Sequence, residues 1–133
     1  MEATPSAWWH WAGLFAAGGC GACLRFVLAL RADRWLAETL AHGGTLVVNL
    51  LGCFAIGALA PLLPQSPVRA IVLAGLLGGF TTYSAFALLT VELAGAGRWA
   101  PLAWQLGLHV GGGALLAMLG LRLGTRLAAT LAG

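Results

Sequence analysis

Four sets of polar residues interrupt an otherwise apolar chain, and their types bound the chemistry available to it. Thr45 and Asn49 are four apart, on one helical face. The Asn49 amide offers two donors and an acceptor. It suits a pore-lining donor that partly replaces an ion's water shell, or an interhelical hydrogen bond that holds a bundle together. The segment from Gly75 to Phe86 carries adjacent Gly78 and Gly79, then Thr81 and Thr82, then Tyr83 and Ser84. Paired glycines and β-branched threonines are poor continuations of a helix. A break here frees carbonyls that protein, water or an ion must satisfy, and discontinuous helices of this kind form ion or substrate sites. The other reading is an unbroken glycine-packed helix whose hydroxyls bond back to their own carbonyls. Arg25 is placed to snorkel to an interface or to make a vestibule electropositive. Gln105 and His109 are again four apart, ahead of Gly111, Gly112 and Gly113. His109 is either a titrating pore group or a neutral packing residue.

What is missing narrows the choice. No Asp, Glu or Lys falls in the middle of an apolar run, whereas a proton-coupled cation exporter needs a buried carboxylate. Arg, amides and hydroxyls suit an anion path or a passive route. No set of nucleophile, base and donor suggests an enzyme. Cys20 and Cys23 form a C-x-x-C, but no second pair or nearby His completes a metal site, and with Cys53 they read as small packing residues.

The elements that position these groups are transmembrane helices. Of the 133 residues, 60% are hydrophobic and 8% charged, and the mean hydropathy is +0.91. A soluble domain of this size cannot hide so much apolar surface. The seven basic residues, all Arg, are scattered without a basic stripe, so nucleic acid is not an expected partner. Apolar runs at about 8–30, 43–63, 68–92 and 100–121 are each long enough to span a bilayer. They predict an all-α membrane protein: one four-helix transmembrane domain over residues 1–133. The longest connection, Arg31 to His42, has room only for a brief interfacial helix. Trp8, Trp9, Trp11, Trp35, Trp99 and Trp104 fall near run ends, where the membrane interface favours Trp. Pro61, Pro64 and Pro67 punctuate the second turn, and Pro101 suits the first turn of the last helix. The first run is not expected to be a signal peptide, because Glu2 and no basic residue precedes it.

Charge placement bears on orientation. Four helices put both termini on one side, which then holds Arg69, Arg122 and Arg126. The other side holds Arg31, Arg34 and Arg98, with Arg25 close by. So little positive-inside bias predicts insertion in both orientations, and two such copies can pair antiparallel. A weakly biased chain oriented by a partner is the alternative.

Three motifs, one per helix and in order, resemble those of the Fluc/CrcB fluoride channels. They are Gly18-Gly19-Cys20-Gly21-Ala22-Cys23-Leu24-Arg25-Phe26, Gly44-Thr45-Leu46-Val47-Val48-Asn49-Leu50-Leu51-Gly52 and Gly78-Gly79-Phe80-Thr81-Thr82-Tyr83-Ser84-Ala85-Phe86. The resemblance implies a passive fluoride channel in a bacterial plasma membrane, built as a dual-topology antiparallel homodimer with two pores. It implies a third helix broken at Thr81-Thr82-Tyr83-Ser84 near the midplane. Carbonyls of Gly78 and Thr81 from both copies would hold a central structural sodium ion. The family's pore phenylalanines fall on Tyr83 and Phe86, with Asn49 at the vestibule floor and Arg25 near its mouth. The ion pathway implied is Arg25, Asn49, Thr82, Tyr83, Ser84 and Phe86, continued by Gln105 and His109. Tyr83, Gln105 and His109 depart from the family pattern, in which Phe, an aromatic residue and Ser or Thr are usual. Two other classes remain open at this stage. A small multidrug exporter needs a buried Glu in helix one, which Trp8 to Leu30 lacks. A non-transporting assembly subunit predicts a stable hetero-partner and no flux.

Overall fold

Helix ends in this protein follow prolines and helix propensity more closely than they follow the ends of the apolar runs. The computed structural model describes residues 8–36 and 43–133, and among them the regular structure is entirely helical. Four helices result: α1 (Trp8–Leu36), α2 (Gly43–Leu59), α3 (Pro67–Gly95) and α4 (Trp99–Ala132). Helix α1 continues through Arg31 and Arg34, and α4 through Arg122 and Arg126, because Arg, Ala and Leu are all good helix formers. Conversely α2 stops at Leu59, since a residue before proline is pushed out of helical geometry and Pro61 follows Ala60. Of the expected Arg31–His42 connection, residues 31–36 continue α1, and residues 37–42 lie outside the described residues, as does Glu2.

The connections are closed by side chains. Ser66 caps the start of α3 by accepting from the Arg69 amide at 3.4 Å, with Pro67 in the first turn. The Arg69 guanidinium Nη1 donates back to the Ala60 carbonyl and, at 2.6 Å, to the Leu63 carbonyl. Asp33, near the end of α1, accepts from the Gly44 amide at 2.8 Å and so fixes where α2 begins. Gly97 turns α3 into α4 at φ +66°, a value that favours glycine.

Three helices are long and apolar enough to cross a membrane, and α2 is a shorter apolar helix of 17 residues. That is still about 25 Å of rise, near the lower limit for a span. The apolar side chains point mostly outward: Phe15, Phe26, Val91, Val110 and Leu131 are all exposed, as are the six tryptophans. A lipid-facing surface has that character. Inside, helices meet backbone to backbone. Helix α2 lies along the second part of α4, and α1 along the first half of α3. At the first seam, a methyl group on Gly57 would run into the Ala117 carbonyl, and one on Gly120 into the Phe54 carbonyl. At the second, Gly21 faces the Leu76 carbonyl and Gly79 faces the Gly18 carbonyl in the same way. With lipid as apolar as Leu, association depends on such close packing.

Replacing Gly120 by Leu therefore costs at least about 1–3 kcal/mol through overpacking. The measurement is the thermal unfolding midpoint in detergent, which falls in Gly120→Leu. It holds in Gly95→Ala, where an added Cβ meets nothing within 4 Å.

Candidate functional site

Helix α3 does not run straight through. Its first half begins as α-helix, widens to a π-helix over Ile71–Leu77, and ends at Gly78–Phe80. Thr81 (φ −92°, ψ 159°) and Thr82 (φ −145°, ψ 109°) are extended, and the second half resumes at Tyr83–Gly95. The break is thus two residues long. Tyr83 and Ser84, expected within it, open the second half instead. The local cause is Thr82, whose Oγ1 accepts from the Ala85 amide at 3.2 Å as an N-cap. A threonine that caps a new helix cannot also continue the old one.

Substitute hydrogen bonds let the backbone tolerate the break. In a regular helix the Thr82 amide would bond the Gly78 carbonyl, and the Ala85 amide the Thr81 carbonyl. Here the Thr82 amide donates to Asn49 Oδ1 at 2.8 Å, and Asn49 Nδ2 donates to the Thr82 carbonyl at 2.9 Å. The Asn49 amide stands in for a peptide group of the missing turn. Arg25 Nε donates to the Gly79 carbonyl at 3.2 Å. The Thr81 amide and Oγ1 both donate to the Leu77 carbonyl at 3.0 Å. With the Thr82 and Ala85 amides diverted, the carbonyls of Gly78 and Thr81 lose their helical donors. Asn49 therefore makes the interhelical bond, and one of its Nδ2 hydrogens is left over by these two contacts. Arg25 is half-buried and tied to α3 rather than only reaching for the interface.

Beside the break lies a cleft of about 380 Å³, walled by Asn49 from α2, by Gly78, Thr81, Tyr83 and Phe86 from α3 and by His109 from α4. The rest of its wall is mainly aliphatic, and among the described residues no Asp, Glu, Lys or Arg lines it. Phe86 is buried at 9% exposure, whereas Tyr83 is 78% exposed and stands at the open side. The Tyr83 and Phe86 rings are 5.6 Å apart at 58°, and the His109 ring is 4.5 Å from Phe86 at 32°. His109 sits in a second π-helical stretch, Gly107–Gly112. Such stretches are rare and frequent at functional sites.

The other expected site residues fall around this cleft rather than on it. Ser84 is exposed, with its Oγ 3.2 Å from Thr82 Oγ1. Arg25 stands on α1 at the Gly79 carbonyl. Gln105 is buried against the α3 backbone, where its Nε2 donates to the Phe86 carbonyl (3.1 Å) and to Thr90 Oγ1 (3.3 Å). Thr90, which sequence reasoning passed over, donates its own hydroxyl to the Phe86 carbonyl at 2.8 Å. Its spacing of four from Phe86 was the available signal. Gln105 and Thr90 together hold the turn that carries Phe86. Cys53, read from sequence as packing, also reaches the cleft wall.

Comparison with known proteins gives consistent matches. A family model described as CrcB-like protein, Camphor Resistance (CrcB), matches residues 12–121. A protein of Chloroflexus aurantiacus named fluoride-specific ion channel FluC is 37% identical over 112 residues, covering 78% of this chain and 86% of that one. Proteins of the same name from Aeromonas salmonicida and a Sulfurovum species are 34% and 41% identical. The first alignment covers 85% of this chain and 94% of the relative, and the second 83% and 89%.

The geometry of the break sets one expectation. Asn49→Ala leaves the Thr82 amide and carbonyl without these partners, at a cost of about 1–3 kcal/mol for an unsatisfied buried group. Hydrogen exchange at the Thr82 amide then accelerates by one to two orders of magnitude, roughly what that energy allows, while amides in α1 keep their protection.

Proposed function

This chain belongs to the CrcB-like family, and from that premise we propose that it is a passive fluoride-selective channel through which cytoplasmic fluoride leaves the cell. It is a multi-pass protein of the bacterial inner membrane and not an enzyme. The observation that carries the proposal is the broken helix beside an aromatic-walled cleft that no charged side chain lines among the described residues. Fluoride is small and strongly hydrated, so a pathway must replace its water with donors. The spare Asn49 N–H and the hydroxyls of Ser84 and Thr82 are of that kind. Aromatic rings have a positive edge, so Tyr83 and Phe86 can contact an anion without binding it too tightly to leave. The absence of carboxylates from the wall removes both a repulsion and a proton carrier.

The working unit we propose is an antiparallel homodimer with two pores. Support comes from the near-even distribution of arginines and from the surface around the break. Tyr83 and Ser84 are exposed, and an added Cβ on Gly78 meets nothing within 4 Å. Irregular backbone is not tolerated against lipid, so a second copy is the natural cover for this face. The same reading assigns a structural sodium ion to the carbonyls of Gly78 and Thr81 from both copies. Its support is the diversion of the Thr82 and Ala85 amides, which leaves those two oxygens in need of a partner. Unwound carbonyls of this type suit Na⁺. When bound, the ion supplies a fixed positive charge beside the anion path.

Purified protein in liposomes is expected to release fluoride, read by a fluoride electrode, and to exclude chloride. Absence of fluoride efflux, or equal chloride flux, overturns the proposal. Phe86→Ile is expected to abolish flux while the dimer persists on gel filtration, and retained flux removes Phe86 from the pathway. Dual insertion is checked with a single cysteine placed at Gly95, where an added Cβ meets nothing within 4 Å, in a Cys-free background. An impermeant thiol reagent should label about half the population from each side of the membrane if both orientations occur.

A further inference from the structure

Two half-buried or buried acceptors next to Phe86 lack a donor: His109 Nε2 and Gln105 Oε1. Gln105 cannot help itself, because its Nε2 is committed to the Phe86 carbonyl and Thr90 Oγ1. His109 Nδ1 lies 3.1 Å from the main-chain carbonyl of Gln105. A carbonyl only accepts, so Nδ1 carries the hydrogen, and the neutral ring then has a bare lone pair on Nε2. That ring forms part of the cleft wall and lies 4.5 Å from Phe86. Nε2 is itself shielded from solvent, and its lone pair is adverse to any anion that comes beside the ring. Protonation reverses the situation, because Nε2 becomes a donor and the ring gains a charge.

We propose that His109 is a proton-dependent fluoride subsite: its imidazolium Nε2–H holds the anion beside Phe86, and its neutral form does not. The proposal rests on the channel reading. The proton comes from bulk water and returns to it when the anion leaves, so no covalent step is involved. Few other groups share the work. From α2 the cleft receives Cys53 and the neutral Asn49, and from α3 it receives Tyr83. Glu92 lies near the end of α3 and Arg98 at the start of α4, and neither lines the cleft.

The sign follows from linkage. Fluoride bound only to the protonated ring raises the pH at which His109 titrates, and acid raises the affinity for fluoride. The first test is fluoride efflux from proteoliposomes at about pH 5.5 and 8, which bracket the imidazole range. Fluoride-anion concentration is held equal, and leakage of hydrogen fluoride is subtracted with protein-free vesicles. The half-saturating fluoride concentration is expected to be several-fold lower at acid pH, and that difference to vanish in His109→Ser and His109→Gln. The second test follows the His109 ring nitrogens by NMR in detergent, assigned by comparison with His109→Ser, in sodium fluoride against sodium chloride. A higher titration midpoint in fluoride is expected. An unchanged pH profile in both variants, or equal midpoints in the two salts, overturns the subsite. A chain with no flux at any pH overturns the channel reading, and the NMR comparison still decides the subsite.

Discussion

The pair of hydrogen bonds between the Asn49 amide and the backbone of Thr82 is what the rest of this structure depends on. Inside a bilayer an opened helix has no water to turn to, and each unsatisfied backbone group costs several kcal/mol. The break in α3 is tolerated in large part because a side chain from α2 presents both a donor and an acceptor at the right spacing. Arg25 repeats the device from α1 at the Gly79 carbonyl, and Thr82 does so within α3 through its own hydroxyl. Three different sources of hydrogen bonding keep two extended residues in the middle of a membrane helix.

Such short reach requires helices that nearly touch. A planar amide on Asn49 spans only a few bonds, so α2 must lie against the break itself. Gly52 does this directly: a methyl group there would collide with the Thr81 side chain. The glycine seams between α2 and α4 and between α1 and α3 set the same close spacing elsewhere. Packing and polar satisfaction are thus one problem. Small residues bring backbones together, and closeness lets a few polar side chains serve groups on neighbouring helices.

The same arrangement leaves some groups without hydrogen-bond partners within the chain. Gly78, Thr81, the exposed Tyr83 and His109 all line one cleft. A chain lacking acids at depth still offers oxygens that suit a cation and N–H or ring edges that suit an anion.

Much of this was legible in the sequence. Hydropathy runs marked four helices, because a membrane span must be apolar over about 20 residues whatever it packs against. Paired glycines and threonines marked the break, because neither pair favours a helix. Helix ends were less legible, since Arg and Ala at 31–36 and after Leu121 continue a helix as readily as they end an apolar run. What only the tertiary structure decided is which open alternative each polar residue takes. Asn49 and Arg25 turned out to serve the α3 backbone, Gln105 sits behind Phe86 rather than on the cleft, and Thr90 joins it there. Composition and spacing set which hydrogen-bonding groups a helix carries. The partner of each is set by distances across helices of 2.8–3.3 Å, and those arise only when glycine seams bring the four helices into register.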